Sequence, residues 1–354
     1  MRWACSSVSS VHSSSNLGEN SGRVSVVTEL DSMRKDRSDV PAGAQQFPVE
    51  PSAAGMPVKF PALDGYELGG VHFRPHHDLE PTVAVVIAAG GGIPARRYRH
   101  FASFLAAAGV PVLTFDYRGI GKSRPRSLRG FMATAEDWSE GDCGGAIAWM
   151  RTRYPHAKLV GVAHSIGSLI IGGAPNVNEC AGLVFIAAHT GYYGDYAKRQ
   201  RIPMAILWHG VMPVLTHLFG YFPASMLGLG EDIPAGMALQ WAARRTPDLR
   251  PEATARDSSR ARAMLARFCE IKVPIRAISF TDDKFATEGG TRRLLAVYSG
   301  VSARCEFVKP SSSGLANIGH FGFFRREAQE ALWPLVLAYV QSALPETPVP
   351  TVAS

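Results

Sequence analysis

The run from Thr82 to Ala89 is one threonine followed by seven apolar residues, Val83-Ala84-Val85-Val86-Ile87-Ala88-Ala89. A strand with no polar alternation has no face to offer water. It belongs in a parallel sheet covered by helices on both sides. It ends in Gly90-Gly91-Gly92, and the same logic applies to Lys158 to Val162, Gly182 to Ala188 and Pro274 to Phe280. Between them the pattern shifts to helical spacing at about Tyr98 to Ala108, Asp137 to Tyr154 and Glu288 to Tyr298. Alternating strands and helices imply right-handed crossovers and a mostly parallel, doubly wound α/β sheet.

The ends of this pattern differ from its middle. Val58 to Phe60 and Leu68 to Phe73, separated by Asp64-Gly65, read as an antiparallel hairpin ahead of the first parallel strand. A strand at Pro111 to Phe115 precedes the turn Asp116 to Ser123, and the chain closes on a strand at Cys305 to Val308 and a helix from Arg325 to about Ser342. The alternation stops for roughly 80 residues after the sixth strand, where amphipathic helices at Gln240 to Arg250 and Asp257 to Cys269 are expected. The resulting division is a core of residues 55–189 and 271–343, a helical cap at 190–270, and a flexible tail at 344–354. Ile202 to Gly230 carries no charged side chain and is long enough to be considered as a membrane span. Pro203, Pro213 and Pro223 interrupt it, so it reads instead as an apolar cap whose inner face lines a substrate pocket, without stable membrane insertion.

Residues 1–54 are serine-rich and aperiodic, which predicts a disordered extension. Met1-Arg2-Trp3-Ala4-Cys5-Ser6 turns polar too early for a secretory signal. A transit peptide and an upstream start, with Met33 or Met56 as the true one, both remain open. The five cysteines lack Cys-x-x-Cys spacing, which argues for reduced thiols, a cytoplasmic location and no metal centre. A net charge of +7 is spread over scattered arginines without stacking aromatics, so no nucleic-acid partner is expected. Oligomeric state leaves no trace in the sequence.

The chemistry concentrates at Ala163-His164-Ser165-Ile166-Gly167. A buried strand ending in small-x-Ser-x-small and entering a helix has the form of a nucleophile elbow, which lifts the serine hydroxyl out of a strained turn. An incidental loop serine is the competing reading. A nucleophilic serine requires a base and a carboxylate that orients it, and in open α/β sheets such groups collect at strand carboxyl ends. Thr281-Asp282-Asp283 follows one strand and Asn317-Ile318-Gly319-His320 follows the last. His164 and His189 read as structural or pocket-lining, His100 as a helix-face residue. Gly90-x-Gly92-x-x-Ala95 with Asp116 also resembles a dinucleotide fingerprint, but that reading leaves Ser165, Asp283 and His320 unexplained. No cofactor is called for.

The chain resembles the α/β-hydrolase superfamily over about residues 57–343, in particular its capped branch of serine-aminopeptidase-like and monoacylglycerol-lipase-like proteins. Asp116-Tyr117-Arg118-Gly119-Ile120-Gly121-Lys122-Ser123 is similar to the family's Asp-x-Arg-Gly-x-Gly-x-Ser turn, and Gly319-His320 to its closing Gly-His. The resemblance implies Ser165 as nucleophile, His320 as base, and Asp283 rather than Asp282 as the acid, nine residues after Pro274. It also implies an oxyanion hole from the Gly91 and Ile166 amides. Ala89, Phe280 and Ala163 stand where the family usually has histidine, glycine and glycine. The implied activity is cleavage of a carboxylic ester, or an amide, of a small or lipid-like molecule. Acyl transfer by the same residues, or a binding protein without turnover, stay open.

Overall fold

The computed structural model describes residues 55–75, 80–249 and 258–342, together with the backbone of Ser25–Val26. Eight strands build the main sheet: β1 (Met56–Pro61), β2 (Glu67–Phe73), β3 (Val83–Ala88), β4 (Val112–Phe115), β5 (Lys158–His164), β6 (Gly182–Ile186), β7 (Ile275–Phe280) and β8 (Ala303–Val308). Their spatial order is β8-β7-β6-β5-β3-β4-β2-β1. β2 runs antiparallel to both neighbours, and the other pairings are parallel. Ser25–Val26 adds a two-residue parallel strand beside Arg304 and Cys305 of β8. The rest of the expected extension, 1–24 and 27–54, and the tail from 344 lie outside the described residues. Every residue of β3, β4 and β6 is buried, as continuous apolar strands require.

Chain order reverses at β3, which sits between β4 and β5. The crevice outside the carboxyl ends of β3 and β5 is therefore the place where a doubly wound sheet receives ligands. Around the sheet lie α1 (Arg99–Ala107), α2 (Gly144–Arg153), α3 (Gly167–Gly172), α8 (Glu288–Val297) and α9 (Trp333–Gln341). A π-helical segment, Asp137–Cys143, leads into α2. The expected closing helix from Arg325 is shorter than the pattern suggests. Short 3-10 turns occupy Gly322–Phe324 and Arg326–Ala328, and α9 begins only at Trp333 because Pro334 is tolerated in a first turn and not in an interior.

The segment between β6 and β7 holds α4 (Lys198–Ile206), α5 (Met212–Phe219), α6 (Ala235–Ala243) and α7 (Ser258–Glu270). A π-helical stretch, Leu207–Val211, joins α4 to α5. The helix expected at Gln240 to Arg250 lies earlier, as α6, because Pro234 starts it and Pro247 follows its end. The apolar stretch from Ile202 turns largely outward. Ile202, Ile206, Val214 and Leu218 are 60–73% exposed, two on either side of the π-helical stretch. By length and composition Lys198–Phe219 would suffice to cross a membrane. The cleft beside the sheet is lined by later residues, Met237, Trp241, Leu249, Leu265 and Phe268 among them. The expectation that residues 202–230 line the pocket is thereby corrected: that stretch docks through Met212, Thr216, Phe222 and Ala224. Ion pairs fasten α7 to the core, with Arg260 on Asp137 and Glu140 and Arg267 on Glu140.

One buried ion pair supports the sheet's carboxyl edge. Arg118 Nε donates to Asp142 Oδ1 at 2.7 Å, the Arg118 amide donates to Asp142 Oδ2 at 2.8 Å, and both terminal nitrogens meet Asp64. Asp142 is fully buried. Arg118→Met would leave that carboxylate without its cation, and a loss of about 3–5 kcal/mol is expected, read as a lower urea midpoint. An unchanged midpoint would show that the pair carries no stability.

Candidate active site

β5 delivers Ser165 in a left-handed backbone conformation, φ 58°. A non-glycine residue there is strained, and the surroundings impose it. The Ser165 amide donates to Ile186 O at 3.0 Å, and α3 begins two residues later at Gly167. A Cβ on Gly167 would come within 2.4 Å of Ala89 O and 2.7 Å of Ala88 O, so only glycine lets α3 pass the end of β3. Ala163, fully buried, pairs with Ala88 and Phe185, and its methyl fits there.

Ser165, His320 and Asp283 meet. Ser165 Oγ lies 3.0 Å from His320 Nε2, and His320 Nδ1 lies 2.8 Å from Asp283 Oδ2. Asp283 Oδ1 accepts from the Phe285 and Ala286 amides. Burial alone would raise the Asp283 pKa, but the His320 hydrogen bond and charge, with those two amides, outweigh it and hold the group below the ordinary carboxylate range. The neighbouring carboxylate works differently: Asp282 accepts from the Ile318 and Gly319 amides at 2.8 and 3.0 Å. It grips the backbone of the segment whose ring Asp283 orients. Helix α8 is capped by Thr287, which accepts from the Gly290 amide.

Above Ser165 runs the glycine loop after β3. A Cβ on Gly90 would meet Ser165 Cβ at 3.3 Å, and one on Gly91 would press on Ile166 and Trp241 at 2.9 Å. Among the described residues neither the Gly91 nor the Ile166 amide has an intramolecular acceptor. The loop is pinned from below: the Gly90 amide donates to Tyr98 Oη, and Tyr117 Oη donates to Ala89 O. Asp116 accepts from the Ala95 and Lys122 amides, so its carboxylate is occupied in holding two turns. Such a site can attack a carbonyl, take up the proton, and stabilise the resulting oxyanion.

Two further histidines lie in this layer. His164 links Tyr98 Oη, 2.9 Å from Nδ1, to His320 O, 2.9 Å from Nε2. It thus ties the glycine loop to the histidine segment. His189, three residues after β6, lies 2.9 Å from Ser165 Oγ through Nε2. Sequence reading placed His189 near the pocket but missed this contact; the positive φ of Ala187, 50°, which turns the chain there, has no sequence signal in an alanine. His100 sits on α1 against Arg326. Arg244 lines the cleft with its guanidinium on Thr190 O, and burial lowers its pKa to about 10.

Burial lowers the pKa of His164 and of His189 to about 3 and of His72 to about 4. The folded protein keeps these rings neutral where an unfolded chain, with histidine near 6.5, binds protons. Stability is therefore full above about pH 6.5 and falls as pH drops toward 4. Melting temperatures should hold from pH 7.5 to about 6.5 and decline from there to pH 5, and a profile flat down to pH 5 would contradict this electrostatic picture.

Residues 80–300 match the family model of the serine aminopeptidases, S33. Among solved structures, DcsB in complex with its substrate analogue is 12% identical with a TM-score of 0.56, over 82% of this chain and 99% of that one. The esterase Pf2001 of Pyrococcus furiosus is 16% identical with a TM-score of 0.51, over 82% and 92%. An acylaminoacyl peptidase of Pyrococcus horikoshii is 14% identical with a TM-score of 0.49, and 82% of this chain spans only 42% of that one. The likeness to DcsB and to Pf2001, at such identities, speaks for a shared fold. With the family match covering well over half of its length, the chain belongs to the serine aminopeptidase S33 family of the α/β-hydrolase superfamily, and it is a serine hydrolase.

Proposed function

We propose that the protein cleaves carboxylic esters of small or lipid-like molecules through an acyl-enzyme on Ser165. The carrying observation is the Ser165 hydroxyl set 3.0 Å from His320 Nε2; among the described residues the Gly91 and Ile166 amides have no intramolecular acceptor, and Ile166, next in the chain, lines a largely apolar cleft. In this reading Ser165 Oγ bonds to the substrate carbonyl carbon while its proton passes to His320 Nε2. The carbonyl electron pair moves to oxygen, where the Gly91 and Ile166 amides receive it. His320 then protonates the leaving alcohol, and water repeats the sequence to free the acid. Asp283 keeps Nδ1 protonated and stabilises the imidazolium. The apolar side chains of the lining, Ile166, Leu169, Met237, Trp241 and Leu265, support an ester with an apolar acyl or alcohol part, and Glu136, Arg244 and Asp248 line the same cleft.

A fluorophosphonate probe should label the wild-type protein and leave Ser165→Ala unlabelled. p-Nitrophenyl esters should be turned over faster than aminoacyl p-nitroanilides; the reverse order would favour a peptidase. Methanolysis products formed in preference to hydrolysis would point to acyl transfer. Folded wild-type protein that stays unlabelled would defeat the proposal. The two aspartates should separate: Asp283→Asn lowers kcat by about 10³-fold or more with little change in KM, whereas Asp282→Asn mainly lowers the melting temperature. Equal kcat losses would show that the two carboxylates do not divide their roles as described.

A further inference from the structure

Ser165 Oγ has two imidazoles within hydrogen-bond distance, and the proposed reaction uses one. The second, His189, has its protons assigned by its neighbours. Its Nδ1 lies 2.9 Å from the Gly191 amide nitrogen, which can only donate, so Nδ1 is the acceptor and carries no hydrogen. A neutral ring then bears its hydrogen on Nε2, 2.9 Å from Ser165 Oγ. His320 has the opposite arrangement: its Nδ1 faces the Asp283 carboxylate and carries the hydrogen, leaving Nε2 bare toward the same oxygen at 3.0 Å. The hydroxyl hydrogen therefore goes to His320, and a lone pair of Oγ receives the His189 Nε2–H.

We propose that His189 is a second catalytic histidine, a fixed hydrogen-bond donor to the nucleophile oxygen. The inference rests on the serine-hydrolase reading of Ser165 and adds a role to it. As the Oγ proton moves to His320, negative charge builds on Oγ and the His189 donation strengthens with it, until the bond from Oγ to carbon forms and the charge passes to the carbonyl oxygen. Once Oγ is an ester oxygen it accepts weakly. In deacylation the bond between carbon and Oγ breaks, the pair returns to Oγ, and His320 gives the proton back while His189 donates again. No proton passes through His189.

Burial and the neighbouring His320, His164 and Arg244 keep the ring a neutral donor, against the pull of the Asp283 carboxylate. The His320 ring centroid is 5.3 Å away and that of Tyr196 5.6 Å; Arg244, His164 and Asp283 complete the charged and titratable surroundings. Protonation would place a cation near Arg244 and set Nδ1–H against the Gly191 amide.

The test compares wild type, His189→Ala, His189→Gln and His320→Gln in the full chain. Rates of fluorophosphonate labelling, in which Oγ displaces fluoride from phosphorus and its proton passes to His320, report nucleophilic attack by Oγ apart from deacylation. His189→Ala should label about 10–100-fold more slowly and lose kcat alike, with KM changed less than about threefold. His189→Gln, whose side-chain amide still offers an N–H, should recover most of that loss and keep the wild-type pH profile, since the donor does not titrate. If the alanine variant does not fold, His189→Met against His189→Gln gives the same comparison. Nitrogen-15 NMR of the histidine-labelled protein should show His189 as the neutral Nε2–H tautomer from pH 8 to 5, with a signal that moves in Ser165→Ala. Wild-type rates without a donor, a glutamine variant as inactive as His320→Gln, or an Nδ1–H or titrating His189 would each overturn the proposal. Wild-type protein that no probe labels would remove the hydrolase reading, and with it the catalytic role, while the NMR tautomer decides separately whether His189 donates to Ser165.

Discussion

The site depends on how closely α3 passes the end of β3. The Gly167 Cα lies so near Ala88 and Ala89 that no side chain fits, and this approach holds Ser165 at φ 58°. With the serine turned this way, its hydroxyl meets His320 and His189, and among the described residues the Ile166 amide has no internal acceptor. Strain of this kind costs on the order of 1–3 kcal/mol, offset here by the fully buried strands on either side. A looser elbow would relax the backbone and let the hydroxyl sink toward the sheet.

Around that turn the polar groups form a connected shell. The Gly90 amide donates to Tyr98 Oη, the Tyr98 hydroxyl donates to His164 Nδ1, and His164 Nε2–H donates to the carbonyl of His320. Three segments distant in sequence are thus joined by alternating donors and acceptors in a buried layer, where each unmade bond would be costly. The Asp116 turn supports the same loop from the other side through Ala95 and Tyr117.

Much of this was legible in the amino-acid sequence because it follows from local pattern. Continuous apolar runs gave the parallel strands, and the order of Ser165, the Asp282-Asp283 pair and His320 placed three polar groups at strand ends. What the sequence concealed depends on direction in space. Nothing in Ile202 to Leu218 reveals that its apolar side chains turn largely outward, because residue type reports apolarity and not the side that is covered. Likewise the identical chemistry of Asp282 and Asp283 hides their different partners, and the contact of His189 with Ser165 arises from a positive φ at an alanine. The early start of α6 and the late start of α9 follow from prolines, Pro234 and Pro334, whose positional rules outweigh helical periodicity.

The paired aspartates after β7 carry one more consequence. They bind a single segment by two different handles, Asp282 through the backbone of Ile318 and Gly319 and Asp283 through the ring of His320. Thirty-six and thirty-seven residues separate each carboxylate from its partner, so the intervening helix and strand form a closed loop fastened at one point. Variation in the length or sequence of that excursion can be absorbed at its surface without moving the imidazole. The clasp insulates the position of His320 from changes in the chain that leads to it.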